Sequence, residues 1–352
     1  MTKRNSSLGQ MMTILFLVLF PLGTERLPGQ LAKAGAAAWI CPLIAGAAVL
    51  GIAALVSRGE SLDQGGLGRR IAGRWGNRAG QVFAVLFLLW GLFLTTAHAG
   101  RVGARLSDSL RASPVLLTAA VLLLAAWMAG RGVPAFARAS EIFALAIGFG
   151  FFLIILFGVF RMRWDFVVLW DWGNLAQVPK GSLSAAGTLA VGCYALFLLD
   201  DVAPNPKGRR SWLIRLGGLF LLLTVAMILM LGRLGPALTG AIDRPFFQMV
   251  SGLGFEGAFQ RLEELVSALW MLGDAALLGL LLLSLGRLLA QGIGKQKERG
   301  LRWLLAGVVF LGSLPVSFWS HVLTGPVLPT GNLIAGLGMV LLLLLTREKK
   351  KS

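Results

Sequence analysis

The sequence predicts an all-α polytopic membrane protein with ten transmembrane helices, and three observations predict it. First, 56% of the 352 residues are hydrophobic and only 14% are charged, with a mean hydropathy of +0.77. Second, the apolar residues arrive in blocks without Asp, Glu, Lys or Arg: 5–24, 34–57, 79–100, 112–130, 142–160, 181–199, 216–232 and 303–346. A membrane helix needs about 17–25 such residues, and the last block holds enough for two spans. Third, the charges left over are placed asymmetrically about those blocks.

The spans fall near 9–34, 38–57, 79–99, 114–129, 139–160, 183–199, 212–233, 262–286, 303–322 and 327–346, and together make one membrane domain over 1–352. With both termini cytoplasmic, the inner segments hold 22 Lys and Arg and the outer connections nine. This is the positive-inside bias. The formal net charge of +17 therefore reports orientation and contact with the lipid bilayer, not a nucleic-acid partner. Lys3-Arg4 ahead of an apolar run resembles a secretory leader. The Pro-Gly punctuation that follows, and nine further spans, favour a retained helix.

The first span carries "FPLGTERLPGQ" (20–30), in which Pro21 and Gly23 are expected to interrupt the helix and Glu25-Arg26 to sit inside the break. Charges at membrane depth are costly and mark functional sites by default. The second and sixth spans hold the two cysteines, Cys41 and Cys193, so no disulfide is expected. Between spans two and three, Leu67, Ile71 and Trp75 recur at helical spacing among Arg69, Arg70, Arg74 and Arg78, the pattern of an interfacial amphipathic helix.

Span six, "SLSAAGTLAVGCYALFLLDDVAPNP", contains Gly187 and Gly192 and is the second helix expected to be broken. Interrupted helices at corresponding positions of two halves point to a transporter-like binding site, although glycine is also common where membrane helices pack closely. Tyr194, the only tyrosine, either hydrogen-bonds a ligand or caps a backbone carbonyl. Asp200 and Asp201 end the span beside Lys207, Arg209 and Arg210, their expected partners. The apolar connection 234–260 is expected to fold back over the outer mouth as a lid.

On span eight, Gln260, Glu263, Ser267 and Asp274 are spaced to share one helix face. Asp274 stands near mid-membrane with no Lys or Arg within a helical turn. Its carboxylate must find a cation, a hydrogen-bond network or water, or hold its proton. A cation or proton site beside a substrate cavity and a helix-tying hydrogen bond are equally open. Glu263 and Glu264, near the span's outer end, are expected to pair with Arg261. Trp90 and Trp270 lie mid-span, where packing is expected. His98 and His321 show no metal-ligand spacing, and the sequence has no HExxH, GxSxG or GxxxxGK[ST]. Neither enzymatic activity nor a cofactor is expected.

In its motifs the chain resembles GerAB-type spore germination permeases. The matching residues are Gln10, Gly23-Thr24, Pro28 and Ala38-Trp39-Ile40, then "LGRRIAGRWGNRAG", then Gly132, Ala137, Arg138 and Glu141, and finally Arg261, Glu263 and Trp270. Two positions depart from the pattern: Glu25-Arg26 stands where the family is usually apolar, and Cys193-Tyr194 where it is more polar. The resemblance implies the amino acid–polyamine–organocation superfamily and a LeuT-like five-plus-five inverted repeat. It also implies a small nutrient, such as an amino acid, held by helices one and six. The binding residues expected on this reading are Leu22, Gly23, Thr24, Glu25, Gly192, Cys193 and Tyr194, and Glu25, although it departs from the family pattern, is expected to meet a ligand ammonium. Ser267, Asp274 and Trp90 would line or couple to the cavity. The implied role is ligand sensing in a germinant receptor, with A-type and C-type subunits as partners, in the inner spore membrane or cell membrane of a spore-forming bacterium. A proton- or cation-coupled transporter of amino acids or organic cations is the alternative, and a vestigial scaffold a third reading.

Overall fold

A computed structural model describes residues 6–57, 66–168, 172–202, 208–253, 262–293, 298–315 and 326–346. Its helices in chain order are α1 (Leu8–Leu31), α2 (Ile40–Ser57), α3 (Leu67–Trp75), α4 (Asn77–Leu110), α5 (Pro114–Gly130), α6 (Val133–Val159), α7 (Trp172–Leu175), α8 (Val178–Leu189), α9 (Gly208–Leu234), α10 (Pro236–Ala241), α11 (Pro245–Ser251), α12 (Leu262–Ile293), α13 (Glu298–Ser313) and α14 (Val327–Leu345). Helices, α or 3-10, cover most of the described residues in the apolar segments. Among the described residues, seven stretches are long and apolar enough to cross a membrane, the first of them being α1 and α2 taken together. The chain is an integral membrane protein. Its outer surface is correspondingly apolar, with Phe160, Leu145, Leu116 and Ile142 exposed where hydrocarbon can cover them.

Helix α1 lies at the centre, against α6, α8, α9 and α12. It starts on a capping box in which Ser7 and Gln10 exchange side-chain and backbone hydrogen bonds, satisfying two donors that a helix start leaves orphaned. Apart from Gln10, Glu25, Arg26 and Gln30, α1 is largely apolar with no one-sided solvent face, and it buries most of its length, as such helices do.

The break expected at 21–25 does not occur. Leu8–Leu31 is one continuous α-helix with Pro21 and Pro28 inside it. Four neighbouring helices enclose it. The Thr24 hydroxyl donates to the carbonyl oxygens of Phe20 and Pro21 (3.1 and 3.0 Å). The proline ring is packed by Gly273 of α12. The backbone departs from helix lower down, at Gly35, with φ of 52° inside the 3-10 segment Ala32–Trp39. A positive φ of this kind suits glycine alone.

Span six changes its winding rather than opening. Val178–Leu189 is α-helical, and Ala190–Asp201 continues as a 3-10 helix, long for that type. The shift begins two residues before Gly192. The amphipathic helix expected between spans two and three is α3, with Leu67 and Ile71 buried and Trp75 partly exposed. Arg70, placed on its polar side by the sequence, is buried as well. Within 234–253, α10 and α11 fold back onto α1, and α11 also packs on α12. Phe246 stacks on Trp270 at 4.9 Å between ring centroids. The rest of that connection, with Gln260 and the partner expected for Glu263 and Glu264, Arg261, lies outside the described residues, as does His321.

Gly273 sets how closely α12 can approach α1. A Cβ there would lie 2.6 Å from Pro21 Cγ and 3.1 Å from the Leu17 carbonyl oxygen. Neither atom belongs to a flexible side chain. Gly273→Ala must therefore separate the helices, costing about 1–3 kcal/mol as overpacking does. Gly307→Ala, whose Cβ meets nothing within 4 Å, is expected to leave the melting temperature in detergent unchanged or slightly raised. Melting curves of the two variants check both.

Candidate functional site

Three helices bring an ionic cluster together inside the bundle. Glu25 comes from α1, Arg101 and Arg105 from α4, and Asp274 from α12. Arg101 Nε donates to Glu25 Oε1 at 2.8 Å, and Arg105 Nη1 donates to Glu25 Oε2. The other terminal nitrogen of Arg105 donates to Asp274 Oδ2. One guanidinium thus bridges two carboxylates from different helices. The planar fork of arginine suits it to that task, which a lysine ammonium cannot perform as well. The side chains of Arg105 and Glu25 are only 4% and 6% exposed, so solvent screens their attraction little.

Both arginines lie in what the sequence suggests is a loop after span three. In the structure α4 runs on to Leu110, so Arg101 and Arg105 extend the helix that carries His98. The spacing 98, 101, 105 places all three on one face. That periodicity was available in the sequence, although the first arginine after a charge-free block also reads as the end of a span. The cation for Asp274 comes from α4, not from its own helix.

Next to the cluster is a cavity of ≈ 20 Å³ between α1, α4, α8 and α14. It is lined by Leu22, Arg26, Gln30, His98, Thr188, Leu328, Pro329 and Asn332. About 10–15 Å³ of such space holds a water, so the cavity accommodates one water-sized group. Its polar walls are braced from behind. Thr188 and Ser184 hydroxyls donate to Gln30 Oε1 (2.7 and 3.3 Å), and Trp90 Nε1 donates to Asn332 Oδ1 (3.0 Å).

The residues expected at the site separate into groups. Leu22 lines the cavity, and Trp90 touches it through Asn332. Glu25 and Asp274 meet at Arg105 rather than presenting carboxylates to the cavity. Thr24 is buried and accepts from Trp270 Nε1 at 2.9 Å. A Cβ on Gly23 would strike Leu223 of α9, and one on Gly192 would touch Leu15 and Leu19 of α1. The Tyr194 hydroxyl donates to the Phe87 carbonyl at 2.9 Å, and Cys193 is half-buried beside α14. Ser267 is half-buried on α12; the side chain of Glu263 lies outside the described residues. Arg26, Gln30, His98, Thr188 and Asn332 are the polar cavity residues that sequence reasoning did not assign, and Leu328 and Pro329 the apolar ones.

A second ionic network joins the far ends of several helices. Asp200 pairs with Arg69 at 3.3 Å and Arg287 at 3.8 Å, and Arg287 also pairs with Asp201 and with Glu298 at 3.1 Å. Arg302 donates to Glu298 at 2.6 Å and to the Ala129 carbonyl at 2.8 Å. Ser6 N–H donates to the Asp201 carbonyl at 2.8 Å. The described partners of the two aspartates are thus distant in sequence, not the neighbouring basic residues. Lys207 and the side chain of Arg209 lie outside the described residues. No three His, Cys, Asp or Glu side chains converge as a metal site among the described residues.

A profile of the spore germination protein family matches residues 7–316. The chain belongs to that family. The match includes every member of both ionic networks except Ser6, and it ends before α14, which supplies Asn332 to the cavity. No curated protein matches the chain.

Truncating Arg105 leaves two buried carboxylates without their shared cation. Breaking a buried pair from one side costs about 3–5 kcal/mol. Arg105→Gln is therefore expected to lower the melting temperature sharply. Adding Asp274→Asn to that variant should restore part of the loss, because one stranded charge is removed. A double-mutant cycle on purified protein measures the coupling.

Proposed function

We propose that this spore germination family protein is the ligand-sensing, permease-like subunit of a germinant receptor. The observation that carries this reading is the family match across residues 7–316. The geometry adds a small cavity beside α1, bordered by side chains of α1, α4, α8 and α14, so that a change at this point would be felt by several helices at once. Sensing would then mean a change in how α1, α4 and α12 share their ionic contacts, passed to A-type and C-type partner subunits. The proposed setting is the inner spore membrane, with ten spans in a five-plus-five arrangement and both termini cytoplasmic. Positive charge concentrated in the inner segments supports that orientation.

The second reading is a proton- or cation-coupled transporter. It is favoured by Asp274, a membrane-depth carboxylate of the kind that marks ion pathways. Proteoliposome uptake under an imposed pH gradient separates the two: a receptor subunit is expected to show no accumulation, a transporter to show uptake that collapses with the gradient. In spores, deleting the chain is expected to abolish the germination response to one class of nutrient and leave the responses to others. Full responses to all nutrients after deletion would remove the receptor reading.

A further inference from the structure

We infer that the elbow between α3 and α4 is a binding site for an anionic phospholipid, whose headgroup sits on Arg74 and Arg78 and whose acyl chain lies along α4. The site is on the outside of the bundle and is independent of any ligand sensed within it.

Two glycines build the elbow. Gly76 ends α3 and precedes α4 with φ of 87°, a backbone conformation that favours glycine. Gly80 then lets α3 fold closely onto α4, since a Cβ there would lie 3.0 Å from Ala72 Cβ and 3.2 Å from Ala72 Cα. Leu67 and Ile71 are buried on the inner side of α3. The elbow itself is turned outward, and every residue from 73 to 78 is exposed.

The four arginines of this stretch divide accordingly. Arg70 is buried, and Arg69 pairs with Asp200 at 3.3 Å. Arg74 and Arg78 point outward, and neither makes an ion pair among the described residues. The first turn of α4, which includes Arg78, holds no acidic residue and no side-chain cap. Its free N–H groups add to the attraction for a negative charge.

Exposed arginines alone would be satisfied by water; what lies beside them selects a lipid. Trp75 sits between the two, 42% exposed, with its ring tilted against Phe83 at 6.1 Å, and an indole in that setting marks the headgroup level. Beyond it on α4, Val82, Val85, Leu86 and Leu89 are each more than half exposed. Val82, Val85 and Leu89 follow Arg78 at helical spacing on the same face. Arg78 to Leu89 is eleven residues, a rise of roughly 16 Å, close to the ~15 Å of hydrocarbon in one leaflet. Cation, indole and apolar stripe thus match the order of phosphate, glycerol and acyl chain. A free phosphate, or an acidic segment of a soluble chain, would use the arginines and leave the stripe unmatched.

The test uses full-length protein in nanodiscs of phosphatidylcholine mixed with phosphatidylglycerol, with the retained lipids counted by native mass spectrometry. Phosphatidylglycerol is expected to be retained in preference to phosphatidylcholine, and to raise the melting temperature above that in phosphatidylcholine alone. The double variant Arg74→Gln/Arg78→Gln should lose about tenfold or more of that preference. Both side chains are exposed, so the variant is expected to fold. Arg131→Gln/Arg138→Gln removes the same charge from two exposed positions around the α5–α6 turn, two spans further on and so on the same side of the membrane. That control should keep the preference. Soluble glycerol 3-phosphate should leave the melting temperature unchanged. Equal retention of the two lipids by the unmodified protein overturns the assignment. So does an undiminished preference in the Arg74/Arg78 variant, an equal loss in the control variant, or stabilisation by glycerol 3-phosphate equal to that by phosphatidylglycerol.

Discussion

The fold depends on one guanidinium. Arg105 reaches Glu25 on α1 and Asp274 on α12, and it is the one cation that both buried carboxylates share among the described residues. Packing against the same junction is equally specific. Gly273 admits Pro21, Thr24 accepts from Trp270, and Phe246 of the returning connection stacks over the same indole. The ionic and apolar contacts reinforce one another, since close approach of α1 and α12 is what lets one arginine serve both acids. Low solvent access then strengthens the bonds that hold the approach.

This junction also explains why α1 can carry two prolines and remain helical. Proline removes a backbone donor and crowds the preceding turn, defects that an isolated helix pays for in full. Here the carbonyl that Pro21 leaves without its helical donor belongs to Leu17 and lies against Gly273 of α12, and four neighbouring helices enclose the rest. Irregularity moves to Gly35, where the backbone can take a positive φ. The site is therefore not built from an opened helix. It is built from side chains projecting from an intact one into the space shared with α4, α8 and α14.

The helical segments and the unusual character of residues 20–30 were legible in the sequence, because hydropathy and the absence of charge report directly on burial in lipid. Glu25 and Asp274 stood out for the same reason. Their relation to each other did not, since it runs through Arg105, and an arginine following a charge-free block looks like the edge of a span. The partners of Asp200 and Asp201 were hidden similarly. Local sequence offers Lys207, Arg209 and Arg210, whereas the fold brings Arg69 and Arg287 from other helices. Periodicity finds residues on a shared face of one helix; it has no access to which faces meet.

Helix α12 contributes Asp274 to one network and Arg287 to the other, thirteen residues further along the same unbroken helix. At 1.5 Å per residue the two lie roughly 20 Å apart along its axis. A rod anchored by charge at two such points cannot tilt at one end without displacing the other. The two ionic networks thus form a mechanical pair, and loosening either would be felt across most of the thickness of the membrane.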